Sequence, residues 1–250
     1  MQQILGDDLI GVTLQGSFAV GDYDQHSDVD FIAVVEEELT SLQVENLQVM
    51  HDLVYQLESE WAKHLEGSYF PREIQRDGSK RGMDLWYLDH GARHMIRSDH
   101  CNTLLVRWVV REQGVTLAGP DPKTLVEPVP AEALKAEIFE TLNTWGQQIL
   151  DDPTPYNNRF YQAFMVLNYC RMLHDLVRGY PGSKRVGAAW AKKALDPEWS
   201  DLIDGSWAGR PDPARKVTQP PDPQDFERTL RFVAYVMDLS RQYVRSNDYP

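Results

Sequence analysis

Cysteine is nearly absent from this chain of 250 residues, which has only Cys101 and Cys170. That excludes a disulfide framework and a cysteine metal cluster, and it fits a reducing cytoplasm. Long apolar runs are absent too. The longest uncharged stretch, Leu9 to Gly21, is too short to span a bilayer and is broken by Thr, Gln, Ser and Gly. Met1 to Asp8 has no base and no apolar h-region, so no secretory signal is expected. A cytoplasmic chain without a membrane partner is the expectation. The most informative gap is in positive charge. No Lys or Arg precedes Lys63, and residues 1–60 hold 13 acids, which account for the whole net charge of −13. A chain so charged is not expected to bind nucleic acid, because gripping a polyanion requires a basic surface that displaces counterions. The acidic region reads either as solvated surface or as a holder of cations, whether metal ions or a cationic substrate.

What is present is a globular pattern. Apolar residues at 42% and charged residues at 25% exclude a disordered or low-complexity chain. Leu9 to Gln15 and Asp28 to Val35 read as strands, the second nearly continuous in apolar residues. Ser17 to Val20 reads as one helical turn capped by Ser17. Leu39 to Leu65 has helical spacing through Leu42, Leu47, Leu53, Leu57 and Trp61. Further strands are expected at Tyr69–Gln75, Met83–Leu88 and Val115–Ala118, with a helix at Asp99–Glu112. Prolines cluster from Gly119 to Pro130, and beyond them the pattern is helical to the end, with a proline-rich loop at Arg210–Pro223. The expected class is α+β: an N-terminal domain of mixed sheet and helices at 1–125, then an all-α bundle at 126–250.

One constellation carries chemistry. Gly16-Ser17 ends a strand, and ten residues later comes Asp28-Val29-Asp30 at the start of another. Residues i and i+2 of a strand share a face, so the two carboxylates stand side by side. Their repulsion is relieved by a divalent cation such as Mg²⁺, which takes carboxylate and phosphate oxygens. Gly16 permits close approach to the backbone, and the turn's N–H groups with the Ser17 hydroxyl suit phosphate oxygens. These parts point to metal-assisted transfer at phosphorus. His90, His94 and His100 show no ligand spacing and read as surface residues.

The segments Leu14-Gln-Gly-Ser-Phe-Ala-Val-Gly21 and His26-Ser-Asp-Val-Asp-Phe-Ile32 resemble the aminoglycoside adenylyltransferases acting on streptomycin and spectinomycin, a family of the nucleotidyltransferase superfamily. The likeness continues through Val115–Pro120, Glu127–Pro130, Cys170-Arg171 and Gly182–Ala191. It implies an antibiotic-resistance enzyme, monomeric, that moves the adenylyl group of ATP to a drug hydroxyl. By the resemblance, Asp28 and Asp30 hold Mg²⁺, and Gly16 and Ser17 meet the triphosphate. Arg171 and Lys184 contact its phosphates from the helical domain. The family's general base is a Glu on a neighbouring strand; Asp84, in Gly82-Met-Asp-Leu85, is the matching position, as base or third metal ligand, with Asp89 competing. The family's drug-contacting Trp and two Asp fall on Asp152, Asn157 and Tyr161, so that pattern is not kept. A protein, an RNA end or another metabolite stays open as acceptor, as does a nucleotide-binding regulator without catalysis.

Overall fold

The apolar run Phe31–Val35 demands cover on both faces, and β2 (Val29–Val35) receives it in the computed structural model, which describes residues 1–210 and 220–245. Phe31, Ala33 and Val35 point into one core with Leu5, Val44 and Leu47. Ile32 and Val34 point into a second core with Phe70, Val110 and Val126. Each side is roofed by helix: α1 (Gln2–Leu5) and α3 (Ser41–Tyr55) over the first, α4 (Arg72–Arg76) and α5 (Leu104–Gln113) over the second. Fully burying one such Val, Ile or Phe contributes roughly 1.5–3 kcal/mol, so the two cores fix this strand firmly.

The sheet has six strands: β1 (Leu9–Leu14), β2, β3 (Leu65–Pro71), β4 (Leu85–Leu88), β5 (Ile96–Ser98) and β6 (Val115–Ala118). Their order is β5-β4-β3-β2-β1-β6. Only β2 and β3 run parallel; the register sets Asp30 opposite Glu66. The other pairs are antiparallel. A short α2 (Gly16–Ala19) follows β1, with no side-chain cap, so Ser17 lies inside this turn and does not cap it.

The helix expected to reach Leu65 is shorter. α3 stops at Tyr55, a 3-10 turn spans Glu60–Lys63, and β3 begins four residues before the strand expected at Tyr69. The apolar residues that extended the helical spacing, Leu53 and Leu57, are 59% and 56% exposed. They bury too little surface to carry a helix onward. The consequence is functional, because Glu66 is strand and not linker.

The chain divides into two compact units, Met1–Val129 and Pro130–Pro250. Residues 122–126 stay with the first because Val126 is buried there and Arg111 donates to the carbonyls of Lys123 and Val126, at 2.7 and 2.8 Å. The second unit is helical: α6 (Ala131–Asp151), α7 (Arg159–Arg178), α8 (Lys184–Ala194), α9 (Ser200–Ala208) and α10 (Pro223–Arg245). Helix α7 is the centre, buried over most of its length from Gln162 to Leu176, and α6, α8, α9 and α10 all pack on it. Ser183 caps α8 by accepting from the Val186 N–H. Most of the expected loop at 210–223 lies outside the described residues. Among the described residues no helix is long and apolar enough to cross a membrane.

Candidate active site

The parallel pairing of β2 with β3 builds the site. Asp30 and Glu66 are register partners on adjacent strands, and Asp28 precedes β2 by one residue. One oxygen from each of Asp28, Asp30 and Glu66 lies within 4.8 Å of the others. At that separation each like-charged pair costs roughly 3 kcal/mol at an effective dielectric of about 20. Nothing in a stable core calls for such a trio, and an all-oxygen carboxylate cluster of this kind suits a hard divalent cation such as Mg²⁺.

Gly16 makes room for it. Its φ is +65°, and a Cβ there would sit 2.1 Å from Asp30 Oδ2. Any other residue would displace the carboxylate as well as strain the turn. The Gln15 N–H donates to the Asp30 carbonyl at 2.9 Å, so the end of β1 is tied to the start of β2. Gly16, Ser17, Asp28 and Asp30 therefore belong to one corner of the N-terminal unit, with Ser17 in the turn beside Gly16.

Asp84 does not join them. It is exposed and lies just before β4, where its carbonyl accepts from Arg97 Nη2. Strands β3 and β4 are antiparallel with Gly67 opposite Leu88, so the level of Glu66 is that of Asp89. Asp84 is then five residues along the strand, roughly 16 Å at the usual rise. The assignment of Asp84 as base or third ligand is corrected on this ground. The carboxylate that stands beside Asp30 on the neighbouring strand is Glu66, and the misjudged end of α3 hid it.

Glu66 is held. Tyr87 Oη donates to its Oε1 at 2.7 Å and also lies 3.2 Å from Asp89 Oδ1. Burial raises the Tyr87 phenol well above its usual range, and the Glu66 charge adds to this, so Tyr87 remains a donor. His100 Nε2 lies 3.3 Å from Glu66 Oε1 at an exposed rim position. Its pKa is raised, mainly by the hydrogen bond to Glu66. His90, read from sequence as a surface residue, is instead 7% exposed and pairs through Nδ1 with Asp28 Oδ1. Burial pulls its pKa down, but the bond to Asp28 and the charges of Asp28, Glu66 and Asp89 outweigh this and raise it. The 62-residue separation of Asp28 from His90 left no local signal for this contact.

Arg171 and Lys184 are brought together within the helical unit. Phe164, Asn168 and Arg171 form one stripe of α7 at i, i+4 and i+7. Arg171 Nη2 donates to Asn168 Oδ1 at 2.7 Å, and Lys184 Nζ sits over the Phe164 ring, 5.1 Å from its centre. Helix α8 approaches closely at Gly187, where a Cβ would lie 2.6 Å from the Arg171 Cα. Two cations thus share a face of the unit. Asp175, one turn on, is buried against His174 and the Gly182 N–H. At the positions that the resemblance aligned with drug contacts, Asp152 Oδ1 accepts from the Thr154 N–H at 3.1 Å. Tyr161 packs edge-on against Tyr156 and Phe164. Tyr156, Tyr161 and Phe164 form an aromatic cluster there.

Residues 124–232 match the family model for the C-terminal domain of aminoglycoside adenylyltransferases. Aminoglycoside (3'') (9) adenylyltransferases of Klebsiella pneumoniae and Escherichia coli are each 30% identical over 93 residues. That match covers 37% of this chain, and the chain spans 33% of the length of these curated relatives. Among solved structures, the spectinomycin adenyltransferase AAD(9) of Enterococcus faecialis, determined with ATP and spectinomycin, superposes with a TM-score of 0.70. The superposition covers 96% of this chain and 94% of that one at 14% identity, which shows a common α+β fold.

Proposed function

We propose that the chain, whose residues 124–232 match the C-terminal-domain model of the aminoglycoside adenylyltransferases, is a member of that family and a Mg²⁺-dependent nucleotidyltransferase. It moves the adenylyl group of ATP to a hydroxyl of a small cationic acceptor of aminoglycoside or aminocyclitol type, and pyrophosphate leaves. The observation that carries this reading is the trio Asp28, Asp30 and Glu66 beside Gly16.

Asp28 and Asp30 would hold the metal. When bound, Mg²⁺ neutralises triphosphate charge and polarises the α-phosphorus. Glu66 takes the proton from the acceptor hydroxyl, and Tyr87 keeps the carboxylate aimed. Gly16 leaves the backbone open to a phosphate oxygen, and Ser17 offers a hydroxyl in the same turn. Residues 1–60 contain no Lys or Arg. The remaining phosphate charge is met by Arg171, through bidentate hydrogen bonds, and by Lys184 as a point charge. A cationic acceptor suits the acidic N-terminal region. A carboxylate at Glu66, register partner of Asp30, favours an enzyme over a nucleotide-binding regulator without catalysis.

Pyrophosphate release from MgATP, measured across a panel of aminoglycosides and aminocyclitols, tests the proposal. Release with at least one acceptor is expected, and none with any acceptor refutes it. In the same assay, Arg171→Ala and Lys184→Ala should each weaken ATP binding by about 1–3 kcal/mol, as for other lost charged hydrogen bonds. Unchanged ATP dependence in both variants refutes their assignment to the phosphates.

A further inference from the structure

Behind Asp28 stand two buried histidines that the reaction just described does not use. His90 Nδ1 pairs with Asp28 Oδ1, and His90 Nε2 faces His64 Nδ1 at 3.1 Å, the rings edge-on with centres 5.1 Å apart. His64 is 4% exposed and His90 7%. His64 is itself anchored by backbone. Its N–H donates to the Trp61 carbonyl at 3.1 Å, and its carbonyl accepts from the Val29 N–H at 2.7 Å, one residue from Asp28. The row Asp28–His90–His64 therefore runs from a candidate metal ligand to the backbone just before β3, which is tied to β2. Two buried imidazoles are an expensive way to fill space, because a buried polar atom left unpaired is destabilising. Apolar side chains would pack there at less cost. What they cannot do is donate a hydrogen bond to a carboxylate.

We propose that His90, braced by His64, is a positioning residue that locks the Asp28 side chain so that one oxygen is held by the imidazole and the other is kept for the cation. The inference rests on the reading of Asp28 and Asp30, beside Glu66, as a cation site. A carboxylate free to rotate would spend much of its time aimed away from Asp30 and would have to be ordered when the ion arrives. Fixing it beforehand lowers that entropic cost. Partners of metal ligands act in this way, and their loss generally weakens metal binding or activity by about 10–100-fold.

The test uses the full chain and Mn²⁺ as probe, with free ion followed by its electron paramagnetic resonance signal, without nucleotide or acceptor. His90→Ala should weaken Mn²⁺ binding by about 10–100-fold. His90→Asn should restore most of the loss, because its amide nitrogen takes the place of Nδ1. His90→Gln, whose amide falls nearer Nε2, should not. His64→Ala should give a smaller loss in the same direction. Binding by His90→Ala equal to wild type overturns the proposal, as does an equal loss in His90→Asn, His90→Gln and His90→Ala. The two readings fail separately. If wild type binds Mn²⁺, Asp30→Asn abolishes binding and His90→Ala does not weaken it, only the positioning role falls. If wild type binds no Mn²⁺, or Asp30→Asn binds it unchanged, the cation site itself is wrong and the role of His90 falls with it.

Discussion

Glu66→Gln is expected to lower turnover by about two to four orders of magnitude, the range for a positioned proton acceptor, and to leave ATP affinity nearly unchanged. Asp84→Asn should leave turnover near wild type. The contrast follows from strand direction. Glu66 is the register partner of Asp30 in a parallel pair. Asp84 lies at the far end of β4, before its first paired residue. Glutamine keeps the shape of Glu66 and can still accept from Tyr87, so a fold effect is not expected. Steady-state kinetics on purified variants decide the point. A large loss in Asp84→Asn with full activity in Glu66→Gln would reverse the assignment. A loss of Mn²⁺ binding in Glu66→Gln would make Glu66 a metal ligand and not a base.

Asp28→Asn and Asp30→Asn should each remove Mg²⁺-dependent activity to the limit of detection. The second has a further, opposite consequence for stability. With no metal present, Asp30 faces Asp28 and Glu66 within 4.8 Å. Each of these repulsions reaches roughly 3 kcal/mol before solvent screens it. Asp30→Asn should therefore unfold at a higher temperature than wild type in the presence of a chelator, and should gain nothing from added Mg²⁺. A variant that is inactive but less stable than wild type under chelation would mean that Asp30 serves the fold and not the ion. Scanning calorimetry with and without Mg²⁺ distinguishes the two.

Much of this was legible in the chain. The apolar run at Phe31–Val35 marked a two-sided strand, and the Asp pair at its head followed from a period of two. Gly16 was legible as a position of close approach, although not that Asp30 is what approaches it. The helices of the second unit were announced by their spacing, although Ser183 as the cap of α8 was not. Glu66 was not found because Leu53, Leu57 and Trp61 mimic a helical face that the fold leaves largely or partly exposed. Local spacing cannot tell an apolar residue that packs from one that does not. The β-rich run Tyr69-Phe70 downstream of Glu66-Gly67 was the available signal, and reading that strand upstream would have placed the carboxylate beside Asp30. Nothing local announces the row Asp28–His90–His64, since its members come from three separate segments. Arg171 stands as a cation among Met, Leu, Tyr and Cys, but nothing in that pattern announced Asn168 as its partner.

The central claim is that the three carboxylates direct attack to the α-phosphorus of ATP, and the fate of the label from two ATP isotopomers tests it most directly. ATP labelled at the α-phosphorus or at the γ-phosphorus is incubated with the full chain, Mg²⁺ and the acceptor that promotes turnover. The account predicts that α-label appears in the acceptor and γ-label in pyrophosphate, with both transfers lost in Asp30→Asn. Recovery of γ-label in the acceptor, or as free phosphate with no labelled acceptor, would contradict it.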